Sequence, residues 1–324
     1  MLIYSGQMAR AASTPLVIDE TAVSLAVDRM TVEVVRALAG AGIPAILLKG
    51  PAILDQLYDP GEHRPYVDCD LLIPAAAEPA VADVLRQLGF APGAGFGVPD
   101  PGVANEHEWH RGVDHVDLHG SLLGIGAPEE SVWPILAADA PWMRVAGQPV
   151  RVLGPGALAL LLALHAAADG PSGEKPLEDL RRGLARLGDT AWREAAELAQ
   201  ALDALPAFGA GLGLLPEGAQ RLARLGVDPG YDVAIALRAR AAPPIAHSLE
   251  RIRRERTLRG KLRRIARGLA PTPTYMRRWS ALAARGSAGL VLAYLWRPVW
   301  LVIQIAPGLR AWRRARRAEA RRRR

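Results

Sequence analysis

Residues 18–40 (IDETAVSLAVDRMTVEVVRALAG) carry apolar side chains at helical spacing and end at Gly40 and Gly42, which predicts an amphipathic helix with a glycine stop. The apolar run IPAILLKG (43–50) predicts a short buried strand leading into a glycine turn. PAILDQLY (51–58) opens on Pro51, a favoured first helical position, and keeps its apolar residues on one face. DPGEHRPY (59–66) reads as a loop. VDCDLLIP (67–74) predicts a strand on which Asp68 and Asp70 share a face, because side chains alternate along a strand. AAAEPAVADVLRQLGF (75–90) predicts a further helix closed by Gly89. It is followed by a glycine- and proline-rich loop (91–105), the segment EHEWHRG (106–112) and a strand, DHVDLHG (114–120). PVRVLGP (149–155) predicts a closing strand.

The order helix, strand, helix, strand, helix, loop, strand implies an α+β unit, a small mixed β-sheet with flanking helices, over 15–155. From 156 to 250 the pattern turns helical: ALALLLALHAAA, LEDLRRGLARL, AWREAAELAQAL and DVAIALRARAA are separated by short Gly/Pro breaks. A third segment, 251–324, is basic and partly apolar, with a Pro-Thr-Pro-Thr hinge at 271–274.

Charge sharpens that division. The chain's net +7 conceals 22 Lys+Arg against two acids after residue 250, a net of +20, which leaves −13 for residues 1–250. Such a tail seeks anionic partners through a salt-sensitive electrostatic term. Residues 288–309 match the roughly 20 residues of a membrane span. However, Arg297 and Pro298 sit at their middle, and an arginine at the bilayer centre costs roughly 2.5–3.5 kcal/mol. Tryptophans and arginines interleave there, as at a headgroup layer. The expectation is an interfacial or re-entrant anchor on an anionic membrane surface through 271–324, with nucleic acid as the less favoured partner of the basic tail. The single cysteine, Cys69, excludes an internal disulfide and a Cys-rich zinc site. The N-terminus reads as carrying no secretory signal, so the expected location is cytoplasmic, peripheral on the inner face of the membrane.

Asp68 and Asp70 on one strand face, after a strand–glycine turn–helix, have the spacing of a two-metal phosphoryl-transfer site. Asp117, central in the strand DHVDLHG, fits as a third carboxylate. Mg²⁺ (or Mn²⁺) takes oxygen ligands and keeps waters or phosphate oxygens, so few protein ligands suffice. An Asp-x-Asp pair alone also fits a strand-end turn with solvated acids. Unpaired acids at the buried end of an apolar strand, however, are costly without a cation.

The combined pattern resembles the bacterial uncharacterised nucleotidyltransferases of the polymerase-β-like superfamily. The matching pieces are LLKGPAILDQLY (47–58), Arg64 ahead of the acidic pair, VDCDLLI (67–73), a helix ending LGF (88–90), HVDLHG (115–120) and, more loosely, LHAAADGPSGEKPLEDLRRGL (164–184). The resemblance implies a nucleotidyltransferase core with Asp68, Asp70 and Asp117 as metal ligands and a helical second domain. It departs at the phosphate-binding turn, where the superfamily has Gly-Ser or Gly-Gly and this chain has Lys49-Gly50-Pro51. Lys49 suits a triphosphate oxygen as a compact charge. Arg64 would clamp a phosphate or pair with an acid.

Five of the seven histidines fall between 63 and 119. His107 and His110 are candidate contacts for substrate or phosphates, and His119 a candidate to orient Asp117. Lys175 and Asp179, at the start of a helix, would face the nucleotide or form a helix-start charge pair. Alternatively, His107, His110, His115, Asp117 and His119 form a zinc or di-iron hydrolase site, although the residues read HEWH rather than HExxH. Cys69 should point into the core, and His165 reads as a hydrogen-bonded core histidine. The expected reaction is Mg²⁺-dependent transfer of a nucleoside monophosphate from an NTP such as ATP to an unidentified acceptor. The remaining class is a non-catalytic membrane-surface or partner-binding protein on the same scaffold.

Overall fold

The computed structural model describes residues 20–93 and 106–322. The N-terminal segment, read above as carrying no signal, and residues 94–105 of the glycine-proline loop lie outside them. The expected helix forms as α1 (Glu20–Gly40). Then follow β1 (Ile46–Leu47), α2 (Pro51–Leu57), β2 (Cys69–Leu72), α3 (Glu78–Gln87), β3 (Ala91–Pro92), β4 (Glu106–Arg111) and β5 (Asp114–His119). A short helix α4 (Val132–Leu136) precedes the hairpin of β6 (Trp142–Val145) and β7 (Gln148–Val152).

These strands form one seven-stranded sheet in the order β3-β4-β5-β2-β1-β7-β6. It is mixed: β2–β5 and β1–β7 run parallel, and the remaining pairs antiparallel. Alternation along β2 and β5 separates two chemistries. Cys69, Leu71, Val116 and Leu118 turn to one face, where they pack with Val34 and Leu38 of α1 and Val81 and Leu85 of α3. Leu72 and Ile46 belong to the core of the other face. Asp70 and Asp117 turn to that second face, as residue-by-residue alternation requires.

The second face is covered by helices gathered around α5 (Pro155–Asp169), which is apolar all round and almost wholly buried. Helices α6 (Glu174–Arg186), α7 (Asp189–Ala201) and α8 (Leu205–Leu212) pack on α5, and α9 (Pro216–Leu225) packs on α8. Gly211 lets α8 approach closely, since a Cβ there would stand 1.9 Å from the Ala163 carbonyl oxygen.

Beyond lie α10 (Val233–Arg238), α11 (Pro244–Arg254), α12 (Leu258–Leu269), α13 (Pro273–Trp279) and the 36-residue α14 (Ser287–Arg322). The Pro-Thr stretch read as a hinge starts a helix: Thr272 Oγ1 accepts from Tyr275 N at 3.3 Å. Helix α14 runs through Pro298 and Pro307 without re-entering. Its C-terminal half is fastened to α11 by Glu250, which accepts from Trp312 Nε1 (2.9 Å), Arg253 (2.6 and 3.0 Å) and Arg254 (2.9 Å). Arg297 is buried against protein: it donates to the Gly268 carbonyl at 3.1 and 3.0 Å and lies over the rings of Trp279 and Tyr275.

Candidate active site

The strand–turn–helix predicted from the sequence sets the floor of the site. Gly50 caps α2 at φ 60, ψ −122, a conformation that disfavours any residue with a Cβ, and the Tyr66 ring lies 3.4 Å from where a Cβ would stand. That turn delivers Lys49 to the sheet's second face, where its Nζ donates to Asp70 Oδ1 at 2.7 Å. Asp70 pairs in register with Asp117 across the parallel β2–β5 ladder. Two buried carboxylates therefore stand side by side on neighbouring strands, about 5 Å apart at the backbone. Asp68 precedes β2 and is half-buried.

The histidines divide by strand parity. His119 Nε2 lies 3.0 Å from Asp70 Oδ1, and His115 Nε2 lies 2.9 Å from Asp117 Oδ1. His119 thus serves Asp70, not Asp117 as expected, because the parallel register places it one pleat beyond. His110 stacks on its cross-strand partner His115 with ring centroids 4.4 Å apart. His107 has opposite parity on β4 and pairs with Glu78 at 2.5 Å, so it is not brought to the carboxylates. His63 pairs with Glu20. Ligand atoms of Glu108, His110 and His115 fall within 4.8 Å of one another, a group able to hold a metal. It differs from the expected His/Asp arrangement, with Glu108 in place of His107, and His119 turned to Asp70.

Arg64 is drawn to neither strand carboxylate. It is 2% exposed, and its Nε and Nη2 donate to Asp179 of α6 at 2.8 and 2.7 Å. Tyr58 OH donates to the same carboxylate at 2.8 Å. Asp179 is therefore a buried clamp between the loop before β2 and the helical layer, while Arg64 Nη1 is buried without a hydrogen-bond partner.

Electrostatics draw the elements together. Burial would raise the Asp70 carboxyl, but the hydrogen bond from His119 and the Lys49 charge outweigh it and hold the group well below the usual carboxylate range. His165 is pushed down to about 3 by burial first and by Lys49 second. Partial desolvation also raises Asp169, at the exposed C-terminal end of α5, against the pull of Lys49. At the start of α6, Lys175 is lowered by desolvation and by Arg64, against the attraction of Asp68, Asp179 and Asp70. Burial pushes the Cys69 thiol up to about 12, as expected of a core thiol.

Sequence reasoning placed His165 in the core and overlooked Asp169. The signal was present: they are the only histidine and the only acid of α5, one helical turn apart on an otherwise apolar helix. Their field reaches Lys49 and the expected hydrogen bond of His165 is not formed among the described residues.

Three paired or neighbouring carboxylates suit a hard divalent cation, since every one of them offers oxygen. Asp70 and Asp117 are buried side by side and could offer oxygens to such an ion, with Lys49 and His119 against Asp70 and His115 against Asp117. Asp68 stands just before β2, and among the described residues the three carboxylates do not form a group whose ligand atoms all fall within 4.8 Å of one another.

Comparison with known proteins bears on the same stretch of chain. Among solved structures, the antibiotic-resistance factor ANT(2'')-Ia in solution is similar at 21% identity, with a TM-score of 0.37 over 57% of this chain and 93% of that one. The crystal structure of ANT(2")-Ia in complex with adenylyl-2"-tobramycin gives 18% identity and a TM-score of 0.38 over 53% and 97%. An antigenic nucleotidyltransferase-like protein from Paracoccidioides brasiliensis gives 17% and 0.33 over 59% and 95%. Scores this low carry no argument about this chain's substrate. No curated protein matches the chain. The model of the uncharacterised nucleotidyltransferases matches residues 20–218, from α1 through the sheet and the α5 layer, and so the chain belongs to that nucleotidyltransferase family.

Proposed function

We propose that this nucleotidyltransferase moves a nucleoside monophosphate from an NTP, ATP included, to a hydroxyl or other nucleophile of a small molecule, peptide or protein. The observation that carries the reading is the in-register pair of buried carboxylates, Asp70 and Asp117, with Asp68 just before the same strand as Asp70. These three would hold Mg²⁺ or Mn²⁺, which supplies positive charge against the reacting phosphates and the leaving pyrophosphate. Lys49, 2.7 Å from Asp70, is placed to exchange that carboxylate for a β- or γ-phosphate oxygen when the ion binds. The unpartnered Nη1 of Arg64 favours a nearby anion as well, with Asp179 fixing the guanidinium. His119 orients Asp70, and Lys175 lies in the field of Asp68 on the helical side. His110 flanks Asp117 through His115 and is the histidine of β4 proposed to meet substrate.

The Glu108–His110–His115 group favours one second reading, a His/carboxylate metal hydrolase, because it is the compact histidine cluster on this face. A test separates them. Nucleotide binding is measured calorimetrically with Mg²⁺ for ATP, GTP, CTP and UTP, comparing wild type with Asp68→Asn/Asp70→Asn. Metal-dependent binding lost in the variant supports nucleotidyl transfer and names the donor. No binding by well-folded wild type refutes it. We also propose that the protein lies peripherally on the inner face of an anionic membrane through its C-terminal helices, for the reasons given below.

A further inference from the structure

Leu258, Leu262, Ile265 and Leu269 recur along α12 at steps of four, three and four residues, which lines them up in one stripe. Ordinarily such a stripe is the face a helix buries. Here no residue of α12 is buried, and the four side chains stand 74, 58, 42 and 58% exposed. The rest of the circumference carries Arg259, Lys261, Arg263, Arg264 and Arg267, with no acid in the helix. Helix α14 repeats the pattern. Leu292, Leu295, Trp296, Val299, Val302 and Ile303 are exposed, while Ala293, Tyr294 and Arg297 face α13 and its neighbours. Arg297 ties the two helices together by donating to Gly268 near the end of α12. The single cation within the apolar length of α14 is thus turned to protein, leaving its exposed arc apolar.

We propose that the exposed apolar faces of α12 and α14 are a docking surface for an anionic phospholipid bilayer, on which the protein lies without crossing. The partner must supply two things together: an apolar medium for the leucine stripe and negative charge for a segment whose net charge is +20. A bilayer with acidic headgroups offers both at one boundary. An RNA offers charge but nothing to cover Leu262 or Val299. A second copy offers apolar surface but brings the same positive charge. Crossing would pull α14 from α13 and leave Arg297 without the Gly268 carbonyl, at the depth where such a loss costs most.

The full chain is sedimented with vesicles of phosphatidylcholine alone and of phosphatidylcholine with phosphatidylglycerol, at low and high salt. Expected is at least about tenfold stronger partition onto the anionic vesicles, weakened by salt. The variant Leu262→Glu/Ile265→Glu should lose at least about tenfold of that partition. Both positions are exposed, so the thermal melt should be unchanged. A tag at the C-terminus should stay open to protease added outside the vesicles. Equal binding to neutral vesicles, no loss in the variant, or protection of the tag overturns the proposal. So does absence of vesicle binding, whether the wild type instead binds an RNA oligonucleotide or forms a dimer that the variant disrupts. None of these readouts involves nucleotide, so they stand apart from the test of the transferase reading.

Discussion

Asp179→Ala removes the acceptor from a buried cation. Arg64 is 2% exposed and its ion-pair partner is equally enclosed, with two donated bonds at 2.8 and 2.7 Å and a third from Tyr58 at 2.8 Å. A surface pair would contribute about 0–1 kcal/mol. Here the variant leaves a guanidinium and a phenol buried without an acceptor, and breaking such a pair costs about 3–5 kcal/mol. At about 2–4 °C per kcal/mol for a domain of roughly 200 residues, the melting temperature should fall by roughly 6–20 °C. The assay is calorimetric or circular-dichroism melting of wild type, Asp179→Ala and the double variant Arg64→Met/Asp179→Leu. Apolar replacement of both partners removes the stranded charge, so the double variant should recover most of the loss. If Asp179→Ala melts within about 1 kcal/mol of wild type, or the double variant is no better than the single, the buried clamp is not what couples the β2 loop to α6.

Two further outcomes follow from titration. Glu250 is held at about 2, since Arg253, Trp312 and Arg254 outweigh the effect of burial. A depressed folded value means that its contribution is fully present above about pH 4.5 and is lost as pH falls towards 2. Glu250→Gln should therefore flatten the acid limb of stability measured by urea melts between these values, and an unchanged limb would refute the assignment. His165, at about 3 in the fold against about 6.5 in the unfolded chain, should stay neutral in an NMR titration down to pH 5. The group makes no contribution above about pH 6.5 and opposes folding increasingly as pH falls from there towards 3; a normal titration near 6.5 would refute the depressed value.

The parts of this molecule legible in its sequence are those where a local rule and the tertiary outcome coincide. The amphipathic α1 and the proline-started α2 bury the face their period defines, alternation along β2 sends Cys69 and Asp70 to opposite faces, and α5, apolar all round, is buried almost all round. Strand β4 was illegible because EHEWHR alternates charge with charge and has one apolar residue, Trp109, to mark its core face. Strand β6 lies at the sheet edge and exposes Trp142, so it carries no burial pattern to read. Helices α8 and α9 are short and hold glycines where neighbouring backbone approaches. Pairwise register is beyond periodicity altogether. That Asp117 stands beside Asp70 and that His119 reaches Asp70 follow from the β2–β5 ladder, which no spacing along the chain specifies.

The same distinction explains why the partners that Arg64 and Arg297 take in the fold were not legible in the sequence. The local pattern suggested a phosphate or one of the paired acids for Arg64 and lipid headgroups for Arg297. In the fold each is buried and bonded to a distant backbone or side-chain oxygen: Asp179, 115 residues away, and Gly268, 29 residues away. An arginine can be buried only where its fork meets fixed acceptors, because its charge cannot be shed. Each also leaves one buried nitrogen, Nη1, without a partner. The fold thus spends two arginines on holding its layers, the β2 loop to α6 and α14 to α12. In the proposed site, anion recognition would then fall first to Lys49, which keeps partial exposure in its pair with Asp70, with Arg64 offering the Nη1 nitrogen that Asp179 does not engage.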